Sequence, residues 1–379
     1  MRTKTKQAVI PAIRDYTGFH RKQDTAYQEW LARQGVPVTR GMSVHDLNEL
    51  PVGPWGDSGV LMNVVSLPAT GETSDLWVME IPPGGQLRPL HHMIHAMVFV
   101  LRGRGATSVW TAQAKKQTFE WHQGSLFAIP LNAWYEHFNG SGAQPARLAV
   151  MTNAPLAINM YPRHDFLFDN PAVFPEVYDG QEDYFSSHGE HFGQTMWKAN
   201  FIADVRTHET DMYQERGAGG TNMHFSFGSS FLTAHISEFE PGTYKKGHRH
   251  GPGPHVLLLS GRGYSLTWAD RKERYRIDWQ AGTVYVPPNY WYHQHFNPHA
   301  GPARYLALTF PSHLVGRPLA GRLRGQPREP GDQIEYRDED PWVMEQFARE
   351  CERNGTPVKR ERMTREYEES VEAPRVELM

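Results

Sequence analysis

The amino-acid sequence predicts an all-β protein that contains two similar barrels. The first observation is an internal repeat, in which residues 83–139 align with residues 241–297 at a constant offset of 158 and without a gap. The second is that both copies consist of short runs of branched and aromatic residues separated by glycine and proline. The third is the length of 379 residues, which exceeds what one hydrophobic core usually serves.

The repeat is carried by residues that occupy the same place in both copies. A Gly-Arg-Gly tripeptide, several tryptophans and a His-Phe-Asn segment recur at one offset, which chance does not produce. The chain therefore contains a duplicated domain. The matched residues are Pro83 and Pro241, Val98 and Val256, Gly103 and Gly261, Gly105 and Gly263, Trp110 and Trp268, Trp121 and Trp279, Gly124 and Gly282, Pro130 and Pro288, and His137 and His295.

Each copy is predicted to fold as short strands. Runs such as MVFVL and HVLLL end at the Gly-Arg-Gly turn, and a further run follows in each copy. We expect Gly124 and Gly282 to form tight turns that need a positive φ. Pro130 and Pro288 fit strand ends, where no ladder donor is needed. Such regularly spaced strands indicate a β-sandwich or barrel.

Two helices are predicted outside the repeat. Residues 24–34 have an amphipathic pattern, and residues 341–355 have another that is closed by Gly355. The long segment between the copies is expected to pack on the barrels. The predicted division is residues 1–60, an amino-terminal arm with a short helix; 61–160, the first barrel; 161–225, a linker; 226–313, the second barrel; and 314–379, a charged carboxy-terminal arm.

Composition excludes several classes of partner. The net charge of -3 supplies no basic excess for nucleic acid, and no apolar run approaches the length of a membrane span. The first residues are basic but include no apolar core, so we expect no signal peptide. Cys351 is the only cysteine and is interpreted as a surface residue. The absence of an intrachain disulfide fits a reducing compartment, and we expect the protein to be cytoplasmic.

Histidines of the second copy are spaced like metal ligands. His248 and His250 lie two residues apart, so on an extended strand both point to the same face. His255 follows a Gly-Pro-Gly-Pro segment, and a later element supplies His293. Neutral imidazoles bind Zn, Fe, Ni, Cu and Mn. Three or four of them inside a barrel form a site with one or two open coordination positions.

These residues resemble the two motifs of the cupin family, G-x5-H-x-H-x(3,4)-E-x6-G and G-x5-P-x-G-x2-H-x3-N. His255 stands where the family has its glutamate ligand, with Gly261 one residue earlier than the pattern, and Tyr290 replaces a glycine. The matching residues are Gly242, His248, His250 and Gly261 in the first motif, and Gly282, Pro288, His293 and Asn297 in the second.

The resemblance implies two jelly-roll barrels, each a double-stranded β-helix, with a metal in the second. It implies that His248, His250 and His293 are ligands, and that His255 is either a fourth ligand or a group that orients substrate or bound oxygen. His295 is interpreted as a supporting residue.

The first copy lacks an equivalent set. The offset of 158 places Leu90, His92, Met97 and Tyr135 at the four ligand positions, which is a poor set for these metals. We therefore expect a metal-free first barrel that serves as a structural partner.

Among proteins with two cupin barrels, the chain resembles the gentisate and salicylate 1,2-dioxygenase group, through its H-R-H and W-Y-H-Q-H segments. The resemblance implies one Fe(II) per chain, O2, and a hydroxylated aromatic acid or similar small anion as substrate. The predicted catalytic residues are His255, Gln294 and His235. The predicted substrate-binding residues are Arg304, Trp291, Tyr285 and Trp268, with Arg147, Lys245, Lys246 and Arg249 as further candidates for holding an anion.

Two other functions remain open from the residues. One is a Zn, Mn or Ni lyase, isomerase or hydrolase that does not cleave O2, since such metals act as Lewis acids. A reaction of the oxalate decarboxylase type is less favoured, because those proteins keep the glutamate that His255 replaces. The other is a non-enzymatic protein that binds a small ligand. In each case we expect a homo-oligomer.

Overall fold

The computed structural model describes residues 24–192, 195–228, 230–251, 253–310 and 332–363. The first residues of the chain, from which we predict that there is no signal peptide, lie outside the described residues. The distal parts of both predicted arms lie outside them as well.

Strands are numbered in chain order, and those of the amino-terminal half include the first copy of the repeat. They are β1 (Val38–Thr39), β2 (Ser43–Val44), β3 (Gly53–Pro54), β4 (Leu61–Val65), β5 (Asp75–Ile81), β6 (Ala96–Arg102), β7 (Arg104–Trp110), β8 (Gln117–His122), β9 (Leu126–Ile129), β10 (Trp134–Asn139) and β11 (Ala146–Thr152).

The strands of the carboxy-terminal half include the second copy. They are β12 (Glu190–His191), β13 (Met196–Lys198), β14 (Phe201–Ile202), β15 (Asp211–Met212), β16 (Thr221–Ser226), β17 (Thr233–Phe239), β18 (Thr243–Tyr244), β19 (Gly247–His248), β20 (His255–Ser260), β21 (Arg262–Trp268), β22 (Tyr275–Gln280), β23 (Val284–Tyr285), β24 (Tyr292–Asn297), β25 (Ala303–Thr309) and β26 (Gln333–Ile334).

Each barrel consists of a large and a small sheet. In the first barrel the orders are β1-β4-β5-β11-β6-β9-β14, with β3 beside β4, and β10-β7-β8. In the second they are β12-β13-β16-β17-β25-β20-β23-β2, with β15 beside β16, and β22-β21-β24-β19-β26, with β18 beside β24. Strand β2 from the amino-terminal arm pairs with β23 of the second barrel, and β14 pairs with β9 of the first. The two barrels thus exchange edge strands, which confirms the predicted all-β duplication.

The two large sheets pack face to face through an apolar layer, here called the inter-barrel cluster. Alternate side chains of each large sheet contribute to it, including Val78 and Phe99 of the first barrel and Ile236 and Leu306 of the second. The side chains between them point into their own barrel. Period-two alternation therefore divides each large-sheet strand into an interface face and an interior face.

The predicted turn glycines have the expected backbone. Gly124 and Gly282 adopt φ of 96° and 89°. Tyr290, which replaces the motif glycine, also has a positive φ, of 58°, and Asn132 at the equivalent place in the first copy has 57°. This backbone is unfavourable for a bulky residue such as tyrosine, so the motif's preference for glycine has a conformational cause.

Helices occur at both arms and after the first barrel. They are α1 (Ala26–Gln34), α2 (Ala154–Met160), α3 (His164–Phe168) and α4 (Pro341–Arg353). Thr25 forms a capping box with Gln28 at the start of α1, which explains why the helix begins there. Helix α4 packs on the outer face of the small sheet of the second barrel, with Phe347 and Cys351 fully buried. The interpretation of Cys351 as a surface residue is therefore wrong. In the described parts of the chain, every helix is too short or too polar to cross a membrane.

Candidate metal centre

Three histidines of the second barrel converge on one point. Ring nitrogens of His248, His250 and His293 all lie within 4.8 Å of one another. His248 lies opposite His293 in the register of β19 and β24, and their ring centroids are 4.2 Å apart. The ring of His250 is 4.9 Å from that of His293. The three rings are close enough together to form a group that could hold one metal ion.

Alternation along β24 determines which of its side chains reach this centre. His293 and His295 point into the barrel, whereas Phe296 packs in the cluster formed with α4. His295 is held there by hydrogen-bond contacts of its Nδ1 with Tyr285 Oη at 2.7 Å and Ser265 Oγ at 2.9 Å. His295 therefore supports the interior beside the ligand candidates, and its ring is 5.6 Å from that of His293.

Backbone carbonyl groups orient two of the three rings. The Nδ1 atom of His248 is 2.8 Å from the carbonyl oxygen of Lys246, and the Nδ1 atom of His293 is 3.3 Å from that of Trp291. A ring that donates from Nδ1 to a carbonyl presents Nε2 as the acceptor. Contacts of this kind fix the tautomer that binds a metal.

The protein environment keeps these rings neutral. Burial lowers the pKa of His293 to about 3 and lowers the pKa values of His248 and His250 well below the ordinary value. The positive charge of Arg216 acts in the same direction on all three. Neutral imidazole is the form that binds a cation, so the donor set fits Mn, Fe, Zn or Ni.

His255 lies apart from this centre, which corrects the expectation of a fourth ligand. It begins β20 opposite Leu308, and both Leu308 and the next residue on its face, Leu257, belong to the inter-barrel cluster. The intervening Val256 packs inside the second barrel. His255 therefore faces the other barrel. It is fully buried, and neither ring nitrogen has a hydrogen-bond partner in the described part of the chain.

The predicted roles of Gln294 and Trp268 are also corrected. Gln294 Nε2 donates to Glu339 Oε1 at 2.5 Å, outside the barrel interior. Trp268 packs with Tyr292 on the outer face of the small sheet, in the cluster covered by α4. The side chains of Gln294 and Trp268 lie on the face of the small sheet opposite to that of His293, so neither reaches the centre.

Arg304 is held by protein groups rather than available for substrate. Its guanidinium donates to Glu238 Oε2 at 3.0 Å and to the carbonyl oxygens of Val205 and His208. Its counterpart Arg147 binds Glu80 and three carbonyl oxygens in the same manner. The two arginines therefore tie arm and linker segments to the barrels.

The remaining substrate and catalytic candidates differ in their placement. Tyr285 lies in the interior core with its hydroxyl on His295, and burial raises its pKa well above the usual value. Trp291 stacks on Tyr275, with ring centroids 5.9 Å apart. His235 lies on the interior face of β17, where its ring contacts those of His224 at 5.0 Å and Tyr305 at 5.9 Å. Of the three predicted catalytic residues, His235 alone shares the interior with the metal centre.

The interior also contains basic residues. Lys245 is buried, donates to Ser237 Oγ, and lies 3.0 Å from Tyr305 Oη. Burial lowers its pKa. Two other candidates are used elsewhere, because Lys246 pairs with Glu335 at 2.5 Å and Arg249 pairs with Asp332 and Asp270.

Arg216 is a site residue that sequence reasoning missed. It ends a short 3-10 turn, Gln214–Arg216, and its carbonyl oxygen accepts from the backbone N–H of Lys246, just before the first ligand. It lies outside the repeat and belongs to no motif. A tertiary contact alone brings it to the centre.

In the first barrel, His92 occupies the place of a ligand candidate, and neither of its ring nitrogens is free to bind a metal. His92 Nδ1 contacts the Ile94 carbonyl at 2.8 Å, and its Nε2 contacts Tyr135 Oη at 2.9 Å. Both nitrogens are therefore engaged. Trp30 of α1 stacks on Trp77 beside them, so the arm helix fills this end of the barrel.

Comparisons with known proteins agree on the architecture. No family model matches the sequence, and no curated protein sequence matches it. Among solved structures, a variant of oxalate decarboxylase from Bacillus subtilis is similar with a TM-score of 0.51 and 13% identity, covering 73% of this chain and 79% of that chain. The chain has a bicupin fold. A second structure of the Bacillus subtilis oxalate decarboxylase, determined in work on its Mn(II) centres, has a TM-score of 0.51 and 14% identity. It covers the same 73% of this chain and 79% of that chain. At these identities the likeness shows the fold alone.

Proposed function

We propose that this bicupin is a divalent-metal-dependent enzyme that acts on a small organic anion by Lewis-acid chemistry, as a lyase does. The observation that carries the proposal is the cluster of His248, His250 and His293 in the second barrel, of which His248 and His293 are buried. The similar oxalate decarboxylase structures support it, since that enzyme has Mn(II) centres and cleaves a small dicarboxylate. We therefore place Mn first among the candidate metals, followed by Fe, Zn and Ni.

The chemistry divides between the ion and the chain. A bound divalent ion would polarise a carboxylate or hydroxyl oxygen of the substrate. The protein supplies three neutral rings, which leave the charge of the ion uncompensated. His235 and the hydrogen-bonded pair of Lys245 and Tyr305 line the same interior, and we propose that they hold or release the proton that a lyase reaction needs.

The two barrels are proposed to have different tasks. The second barrel, residues 226–313 in the predicted division, performs the chemistry. The first, residues 61–160, is a structural partner, because His92 is bound on both nitrogens and α1 fills its end. The homo-oligomer and the cytoplasmic location expected from the sequence stay predictions.

The experiment that tests the proposed function compares turnover with and without oxygen. Protein loaded with Mn is offered a panel of small organic acids under air and under anaerobic conditions, with product and CO2 measured. We expect at least one acid to be converted at the same rate in both atmospheres. The His248→Ala variant is the matched control and should be inactive with that acid. Activity that survives in this variant contradicts the proposed centre.

One observation favours a second candidate, the Fe(II) dioxygenase of the gentisate and salicylate type. With His255 on the opposite face of its strand, the described ligand set is three neutral histidines with no carboxylate. Such a set leaves positions for both an organic acid and O2. The same panel, offered to Fe(II)-loaded protein in an oxygen electrode, separates the two functions. Conversion of a hydroxylated aromatic acid with matched O2 consumption, absent without oxygen, would replace the lyase proposal.

A further inference from the structure

The interior of the second barrel contains two cations, one buried and one partly buried, that form no ion pair with a described carboxylate. The charge of partly buried Arg216 acts on all three histidines, and that of buried Lys245 acts on His293. Within the described residues, neither cation forms an ion pair with a carboxylate. The acidic neighbour of Arg216 in the sequence, Glu215, has an exposed side chain. Buried charge without compensation is costly, and natural proteins rarely keep it without a purpose.

The backbone of Arg216 is held close to the segment that carries the first ligand candidate. Its backbone carbonyl accepts from Lys246 N–H at 2.8 Å. The following Gly217 has φ of 141°, and a Cβ there would lie 2.9 Å from the Tyr244 carbonyl oxygen and 3.0 Å from the Lys245 Cα. Only glycine allows this approach without displacing the backbone of the ligand strand. The chain therefore brings Arg216 to the metal centre by a close backbone contact.

The donors of this arginine are only partly used. Its side chain forms a hydrogen bond with Tyr213. Its Nη1 atom is buried and has no partner among the described residues. A buried donor atom without a partner is unfavourable in the ligand-free protein, and an anion in the same interior would satisfy it.

We infer that Arg216 is the anion anchor of this site, and that the substrate is a small dianion with one charged group toward the histidine cluster and the other toward Arg216. The inference rests on the proposed function, because it needs an ion on His248, His250 and His293. Two protein cations and a divalent ion with neutral ligands favour a ligand with two negative charges over one with a single charge. Lys245 adds to this preference while bound to Ser237 and Tyr305.

The test measures stability and anion binding in the same variants. Arg216→Met removes the charge with little change in length, and Arg216→Lys keeps the charge but loses the forked donors. The matched control is Arg262→Met, an exposed arginine on the outer side of the same barrel whose described hydrogen bond is to Gln280. Each Mn-loaded protein is titrated calorimetrically with oxalate, malonate and fumarate, and with acetate as the anion with one charge.

The inference predicts opposite effects on stability and binding. We expect Arg216→Met to raise the thermal unfolding midpoint of the ligand-free protein, because it removes a partly buried charge with an unpartnered buried donor. We expect it to weaken binding of the best dianion about 10- to 100-fold, the loss of a charge-assisted contact. Arg216→Lys should fall between wild type and Arg216→Met, and Arg262→Met should bind like wild type. Acetate should bind wild type much more weakly than the dianion.

Two results overturn the inference. One is equal dianion affinity in wild type and Arg216→Met. The other is a metal-loaded wild type that binds none of the three dianions better than acetate. Metal content, measured on every sample, distinguishes these results from failure of the proposed function, in which the wild type would hold no ion at all.

Discussion

At the scale of single residues, His255 shows how one position determines what the site can do. It is fully buried in the inter-barrel cluster, and both of its ring nitrogens lack a partner in the described chain. The equivalent residue of the first barrel, Met97, is apolar and lies in the same cluster. Burial lowers the pKa of His255 to about 3, so the ring stays neutral there. Because His255 faces the other barrel, the candidate metal centre consists of the three histidines His248, His250 and His293.

We predict that His255→Met stabilises the protein. A buried polar group without a partner costs about 1–3 kcal/mol, and methionine fits this position in the first barrel. The free energy of unfolding, measured by urea denaturation at pH 8, should therefore rise by about 1 kcal/mol or more. The matched control is His92→Met, which removes two hydrogen bonds and should destabilise the protein. A destabilised His255→Met variant would mean that His255 has a hydrogen-bond partner outside the described residues.

At the scale of elements, strand parity separates residues that the motif places together. The family motif has three or four residues between the second histidine and the glutamate, and six between the glutamate and the glycine. With the shorter spacing after His250, and counted back from Gly261, the glutamate position is Pro254, which cannot bind a metal. His255 is the next residue, so its side chain takes the opposite face of β20. The same rule sends Gln294 to the outer face of β24 while His293 and His295 face inward.

The sequence therefore predicts the elements better than their contacts. The repeat, the turn glycines, both arm helices and the spacing of His248, His250 and His293 depend on local pattern, which one sequence displays. The placement of Arg304 and Arg216 depends on which segments meet in space. No spacing reveals that Arg304 binds linker carbonyls or that Arg216 reaches the centre. The motif spacing before Gly261 places the glutamate position at residue 254, and this sequence signal argues against His255 as a ligand.

At the scale of the whole molecule, duplication has produced two barrels with different interiors. The first barrel uses His92, Tyr135 and Trp77 as hydrogen-bonded or stacked core, under a helix that fills its end. The second keeps an interior of histidines with basic residues beside them. The large sheets share one apolar layer and exchange edge strands, so the first barrel positions the strands of the second.

Many buried neutral histidines predict acid sensitivity of the whole molecule. Burial lowers the pKa values of His92 and His95 to about 4, and those of His137 and His255 to about 3. In the unfolded chain each binds a proton near its ordinary value of 6.5. Below pH 6.5 the unfolded state therefore binds more protons, and each group removes about 1.4 kcal/mol of stability per pH unit until its folded pKa is reached.

Two buried carboxyl groups act in the opposite direction. Burial raises the pKa values of Asp75 and Glu339 to about 7, so the folded state binds their protons between their ordinary values and pH 7. Their contribution is complete below pH 4 and is lost as the pH rises through 7. Four histidines outweigh two carboxyls, so urea midpoints of metal-free protein should fall steeply from pH 6.5 to pH 4.5. A midpoint that is constant over this range would contradict the burial described for these histidines.

Elemental analysis of protein purified without added metal shows directly whether the three histidines bind an ion. Three proteins are compared: wild type, the double variant His248→Ala/His250→Ala, and His255→Met. We expect about one equivalent of a divalent metal per chain in wild type and in His255→Met, and its loss in the double variant. Metal that persists in the double variant, or that disappears from His255→Met, would contradict a centre built on His248, His250 and His293.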